Sequence, residues 1–230
     1  MSLLLQLTQA TPDSLALQSM SSEETLTFLE LLQKGGWWLV PLVLLQLAAV
    51  YIFFERIFTI KRADRDSDDL MDRVRHSVMA GDITGAKSIC SGENTPIARM
   101  IEKGIDRIGS SLKNIEVSIE NVGKIEIYRL EKNLNLLATI AGAAPMLGFL
   151  GTVTGMITAF MDITKIEGAL TPQQLSAGIY EALITTACGL FIGILAYLGY
   201  NYLVARVLKV VHRMEYTSVE FIDLLQEPNK

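Results

Sequence analysis

The chain has 230 residues, 50% of them hydrophobic and 20% charged, with a net charge of −5. That is rich in apolar residues for a soluble domain, and the acidic balance excludes the basic face that a nucleic-acid binder needs to neutralise phosphates. Charge is also unevenly spread: Lys61 to Lys132 hold thirteen basic and thirteen acidic residues, while long stretches elsewhere hold none.

Residues 1–36 open with an apolar patch at Leu3, Leu4, Leu5 and Leu7, but no Lys or Arg precedes it as a secretory signal requires. Ser21 followed by Glu24 has the spacing of a capping box, and Leu26, Leu29 and Leu32 recur at helical intervals. A short amphipathic helix is predicted here, ended by Gly35 and Gly36.

Residues 37–60 hold the first of three segments that pass the test for a membrane-spanning helix, about 20 mostly apolar residues whose backbone groups pair within the segment. Trp37 to Phe54 has Gln46 as its single strongly polar residue. The second segment, 134–161, runs uncharged from Leu134 to Met161, and the third, 182–205, from Ala182 to Ala205. Between the first two, 61–133 reads as a helical domain: Asp68 to Ala80, Asp82 to Cys90, a helix opened by Pro96, and another from Ser111 with Ile115, Ile119, Val122 and Ile125 on one face. Nothing from Ser111 to Met161 except Pro145 interrupts that pattern, which predicts one helix of about 50 residues, roughly 75 Å long. Residues 162–181 form a connection and the start of the third helix, and 206–230 continue it.

Short flanking segments rich in Lys and Arg mark the cytoplasmic side. Arg56, Lys61, Arg62 and Arg65 follow the first span, and Arg206, Lys209 and Arg213 follow the third, whereas the connection between the second and third has only Lys165. The N-terminus is therefore expected outside and the C-terminus inside, with 61–133 cytoplasmic. The amphipathic helix then lies on the outer membrane surface. The fold class expected is an all-α membrane protein whose second and third helices extend into the cytoplasm.

Gly148, Gly151 and Gly155 in the second span and Gly189 and Gly193 in the third leave room for close helix packing. Beside them stand Thr152, Thr154 and Thr158, then Thr185 and Thr186, with Glu181 one turn earlier. Each hydroxyl can bond back to its own helix, and about 20 residues counted back from Arg206 place Glu181 near the headgroups. A boundary carboxylate and a proton-handling one both remain open on spacing alone. His76 and His212 sit among charged residues, and Cys90 and Cys188 lie far apart. No catalytic set, phosphate loop, metal-ligand spacing, disulfide or cofactor motif is present, and an enzyme is not expected.

The stretches from Ala144 to Ile157 (APMLGFLGTVTGMI) and from Gly178 to Leu190 (GIYEALITTACGL), with Tyr200-Asn201 following, resemble the signatures of the ExbB/TolQ/MotA proton-channel family. The strong resemblance runs from Ile140 to Arg206, with a looser one from Gly81 to Pro96. It implies a homo-oligomeric ring, a pentamer, in the bacterial inner membrane. Inside it would stand a dimer of a single-span ExbD-like or TolR-like partner carrying a membrane aspartate, with a TonB-like or TolA-like protein beyond. By position Thr152, Thr186 and Glu181 match the family's pore threonines and glutamate. The chain resembles ExbB most, with a TolQ-like role or a non-conducting scaffold as alternatives. It departs at Ile194-Leu195, where relatives have Ile-Pro and a kink, and at Thr185, where Ala is usual. Thr185 lies about 40° from Glu181 around a helix and Thr186 about 140°. Helix geometry leaves both open, and the family match favours Thr186.

Overall fold

The structure, a computed structural model, describes residues 37–64, 67–165 and 172–226. The expected amphipathic helix before Trp37 lies outside the described residues, within which every regular element is a helix. They are α1 (Leu39–Ala63), α2 (Ser67–Met79), α3 (Ile83–Gly92), α4 (Pro96–Ile105), α5 (Leu112–Glu131), α6 (Leu134–Lys165) and α7 (Pro172–Gln226). Three are long and apolar enough to cross a membrane: α1, the run Leu112–Asp162, and Gly178–Gln226.

The short helices start where side chains can satisfy free amide groups. Asp82 accepts a hydrogen bond from the Gly85 amide at 2.8 Å to open α3. Thr95 accepts one from Ala98 at 3.2 Å to open α4, whose first residue is Pro96. Helix α7 is the spine that gathers them. Leu203, Val207, Val210, Met214, Thr217, Phe221 and Leu224 are all buried, an alternation of four- and three-residue steps that keeps one seam of a helix turned to a neighbour. Helices α2, α4 and α5 pack against this seam. Gly104 is needed there, because a Cβ on it would stand 2.7 Å from the Phe221 ring and 2.8 Å from Ile119 Cδ1.

The expected single helix from Ser111 to Met161 is not what forms. The chain breaks at Lys132-Asn133, and Pro145 lies inside an uninterrupted α6. Asn133 has a φ of 64°, the left-handed conformation that asparagine tolerates better than other residues with a Cβ. Here the break is held by side chains from α1. Buried Arg56 donates to the Arg129 carbonyl at 3.1 Å, an acceptor left free at the end of α5, and it pairs with Glu55. Glu55 in turn accepts from the Asn133 side-chain amide at 3.3 Å. A proline in mid-helix removes one amide, and its ring is accommodated between the helices by glycine at 193, where a Cβ would stand 2.5 Å from Pro145 Cγ. Helix α7 also runs unbroken through Ile194-Leu195.

Candidate functional site

The site lies where α6 and α7 meet over their glycines. A Cβ on Gly189 would stand 2.6 Å from the Ala144 carbonyl oxygen and 2.8 Å from Gly148 Cα. One on Gly148 would stand 2.8 Å from the Thr185 carbonyl oxygen, one on Gly151 2.7 Å from Thr185 Oγ1, and one on Gly155 3.0 Å from Ala182 Cβ. In the first two cases the obstacle is main chain, so the two backbones are as close as they can come only because both positions lack a side chain.

This closeness brings Thr152 and Thr186 together. Their hydroxyls form a direct hydrogen bond between α6 and α7. Thr152 Oγ1 also lies 3.0 Å from the Ala182 carbonyl of the opposite helix, and Thr186 Oγ1 lies 3.0 Å from the Gly148 carbonyl. Each threonine thus reaches a main-chain acceptor of the other helix. A hydroxyl carries a single proton to donate. Either hydroxyl can donate to the other, and the carbonyl contact of the one that does so then goes unused. The pair accordingly has two hydrogen-bond arrangements of similar geometry. Both threonines are half-buried.

Thr185 is placed differently. It is 1% exposed, its hydroxyl donates to the Ala182 carbonyl of its own helix at 2.7 Å, and it fills the space that Gly151 leaves. Thr154 and Thr158 also bond back to their own helix, at 3.0 Å from Leu150 and Thr154 carbonyls respectively. Glu181 is half-buried and adjoins Ala182, whose carbonyl both Thr152 and Thr185 reach. The structure therefore brings Thr152 and Thr186 into one cluster and uses Thr185 for packing, while Glu181 shares with them only its chain neighbour Ala182. Among the described residues no group of His, Cys, Asp and Glu could hold a metal ion.

A polar network at the other end of α6 went unnoticed in the sequence. Glu126 is 2% exposed and binds Arg99 and Arg129, each at 2.6 Å, beside the Arg56 contact to the Arg129 carbonyl. The signal available was an Asn following Lys132 in an otherwise helical run, together with a Glu-Arg pair closing an apolar span.

The fold and this cluster define a polytopic helical membrane protein with a polar seam between two tightly packed spans. The model of the MotA/TolQ/ExbB proton channel family matches residues 92–216, and the chain belongs to that family. Among its relatives is a putative biopolymer transport protein ExbB-like 1 of Synechocystis, 32% identical over 75% of this chain and 68% of that one. The Tol-Pal system protein TolQ of Haemophilus influenzae is 35% identical over 61% of this chain and 60% of its own length. A biopolymer transport protein ExbB of Aquifex aeolicus is 38% identical over 45% and 69% respectively.

Proposed function

We propose that this chain is the ring subunit of a motor driven by protons crossing the bacterial inner membrane, of the ExbB-ExbD type. It works without enzymatic chemistry or a cofactor of its own. Five copies would enclose a pore lined by α6 and α7, with the N-terminus outside and helices α2–α5 in the cytoplasm. The orientation rests on Lys61, Arg62, Arg206, Lys209 and Arg213 at the same ends of α1 and α7. The observation that carries the reading is the Thr152–Thr186 pair, which joins two uncharged helices and has more acceptor positions than protons.

A carboxyl group of a single-span partner standing in the pore would meet this pair in either protonation state. The protonated acid donates to a hydroxyl oxygen, and the carboxylate accepts from the same hydroxyl after it rotates. Neither state introduces a fixed charge on the ring. Protons from outside would bind the partner aspartate and leave to the cytoplasm, with Glu181 at the outer approach, and each transfer would favour a new orientation of the partner within the ring. At a potential of 100 mV each proton supplies about 2.3 kcal/mol, so mechanical output requires several. A TonB-like arm would deliver that output to outer-membrane transport. Relatives named TolQ support a second reading in which the arm is TolA-like and the role lies in the Tol-Pal system.

The test replaces both hydroxyls while keeping shape. Thr152→Val with Thr186→Val should leave the oligomer assembled and abolish energised uptake and proton flux in vesicles, whereas the Ser counterparts retain both. Glu181→Ala should also assemble and lose uptake. Uptake at the original rate in an assembled double Val variant would falsify the motor reading in favour of a passive scaffold.

A further inference from the structure

Between α1 and α7 lies a cavity of about 380 Å³ that shares no residue with the hydroxyl cluster. Small residues create it: Ala49 on α1 faces Ala196 and Gly199 on α7, where larger side chains would close the gap. Phe53 forms a wall, and a Cβ on Gly199 would already stand 3.1 Å from its ring. Apart from Gln46 and the Tyr202 hydroxyl, the lining is apolar, and Val50 is exposed at its edge.

The cavity spans Gln46 to Phe54, a rise of ~12 Å along α1, close to the ~15 Å of hydrocarbon belonging to one leaflet. Tyr202 also lines a smaller cavity of about 60 Å³, together with Lys61, Asp64 and Arg206. The Arg206 guanidinium lies 5.4 Å from the centre of the Tyr202 ring, and its Nε donates to the Tyr202 hydroxyl at 3.3 Å, which holds its charge at the mouth. Asp64 is within ion-pair distance of Arg213, at 3.2 Å, and of Lys209, at 3.9 Å. Lys61 and Arg206 are left exposed with no acidic partner among the described residues.

An apolar groove about one leaflet deep, followed by two cations that have no acidic partner among the described residues, has the shape and charge of a phospholipid turned inside out. We propose that it binds an anionic phospholipid, one acyl chain between α1 and α7 and the phosphate at Lys61 and Arg206. The lipid belongs to the cytoplasmic leaflet if the orientation proposed above holds, but occupancy of the groove does not depend on proton conduction.

Native mass spectrometry of the full chain in mild detergent, offered phosphatidylglycerol or phosphatidylcholine, tests this. Micelles have no sidedness and no proton gradient, so failure here reports on the groove and leaves the motor reading to its own assay. The wild type should retain phosphatidylglycerol over phosphatidylcholine on the order of tenfold, given two basic residues near the headgroup. Lys61→Ser with Arg206→Gln should remove that preference while an acyl chain is still held. Val50→Trp, which fills the groove from its exposed edge, should lose both lipids. Equal retention of the two lipids by the wild type overturns the proposal. So does unchanged lipid in Val50→Trp, and if that variant also loses its oligomer, the groove is a seat for a second copy.

Discussion

A threonine in a membrane helix ordinarily satisfies its hydroxyl on the preceding turn, and Thr154, Thr158 and Thr185 do so. Thr152 and Thr186 differ because each reaches the opposite helix, and that difference is what separates a pore candidate from packing. Thr185→Ala should therefore leave proton flux intact where Thr186→Val removes it. The cysteine of the ionic part shows burial acting on chemistry. Cys90 is 1% exposed, and desolvation, with Glu102 adding and Arg73 opposing, pushes its thiol from 9.0 up to about 12. The folded state thus disfavours the reactive thiolate. Alkylation of Cys90 in the native protein should stay negligible at pH 9 and become complete on unfolding. As pH rises from 9 toward 12, the unfolded chain loses this proton first, so stability should fall across that window.

At the scale of elements, the contact between α6 and α7 depends on main chain meeting main chain. Gly189→Ala puts a methyl against the Ala144 carbonyl and Gly148 Cα, neither of which can rotate away, so the helices must separate. A loss of about 1–3 kcal/mol is expected, read as a lower thermal midpoint in detergent, together with loss of proton flux because Thr152 no longer reaches Thr186. The break between α5 and α6 makes a different demand. Asn133→Gly keeps the left-handed backbone available and should be tolerated, whereas Asn133→Val should cost about 1–2 kcal/mol for the strained φ. A thermal midpoint of the Val variant equal to the wild type would mean that the chain simply straightens there. The Arg56 and Glu55 contacts would then be incidental.

The whole molecule shows a surface that neither water nor lipid covers comfortably. Phe149, Phe160, Phe191 and Leu198 are exposed within the spans, as expected of residues facing acyl chains or another helix. Outside the uncharged segments 134–161 and 182–205, however, Val117 and Ile125 on α5 and Tyr216 and Val219 on α7 are also exposed, and α5 and α7 flank a groove of about 340 Å³. In the proposed topology these side chains lie in the cytoplasm, where an exposed apolar patch marks a contact surface. The proposed ring provides that contact through neighbouring copies. Ile125→Glu with Val219→Glu should convert the oligomer to a monomer in light scattering without unfolding the chain, since both side chains point away from its own core.

Much of this was written in local chemistry. Uncharged length declares the three spans, Asp82 and Pro96 declare helix starts, and the paired glycine and threonine motifs declare the family, because each signal depends on residues close together in the chain. Other features depended on partners distant in sequence. Which of two adjacent threonines crosses to α6 was decided by how α7 rotates when Gly148 meets Gly189, and a spacing of 100° per residue cannot supply that rotation. The break at Asn133 is bound by Glu55 and Arg56 from another helix, and Gly193 on α7 makes room for the Pro145 ring. Local pattern chooses the helices, and tertiary packing decides where they bend and which polar atoms they bring together.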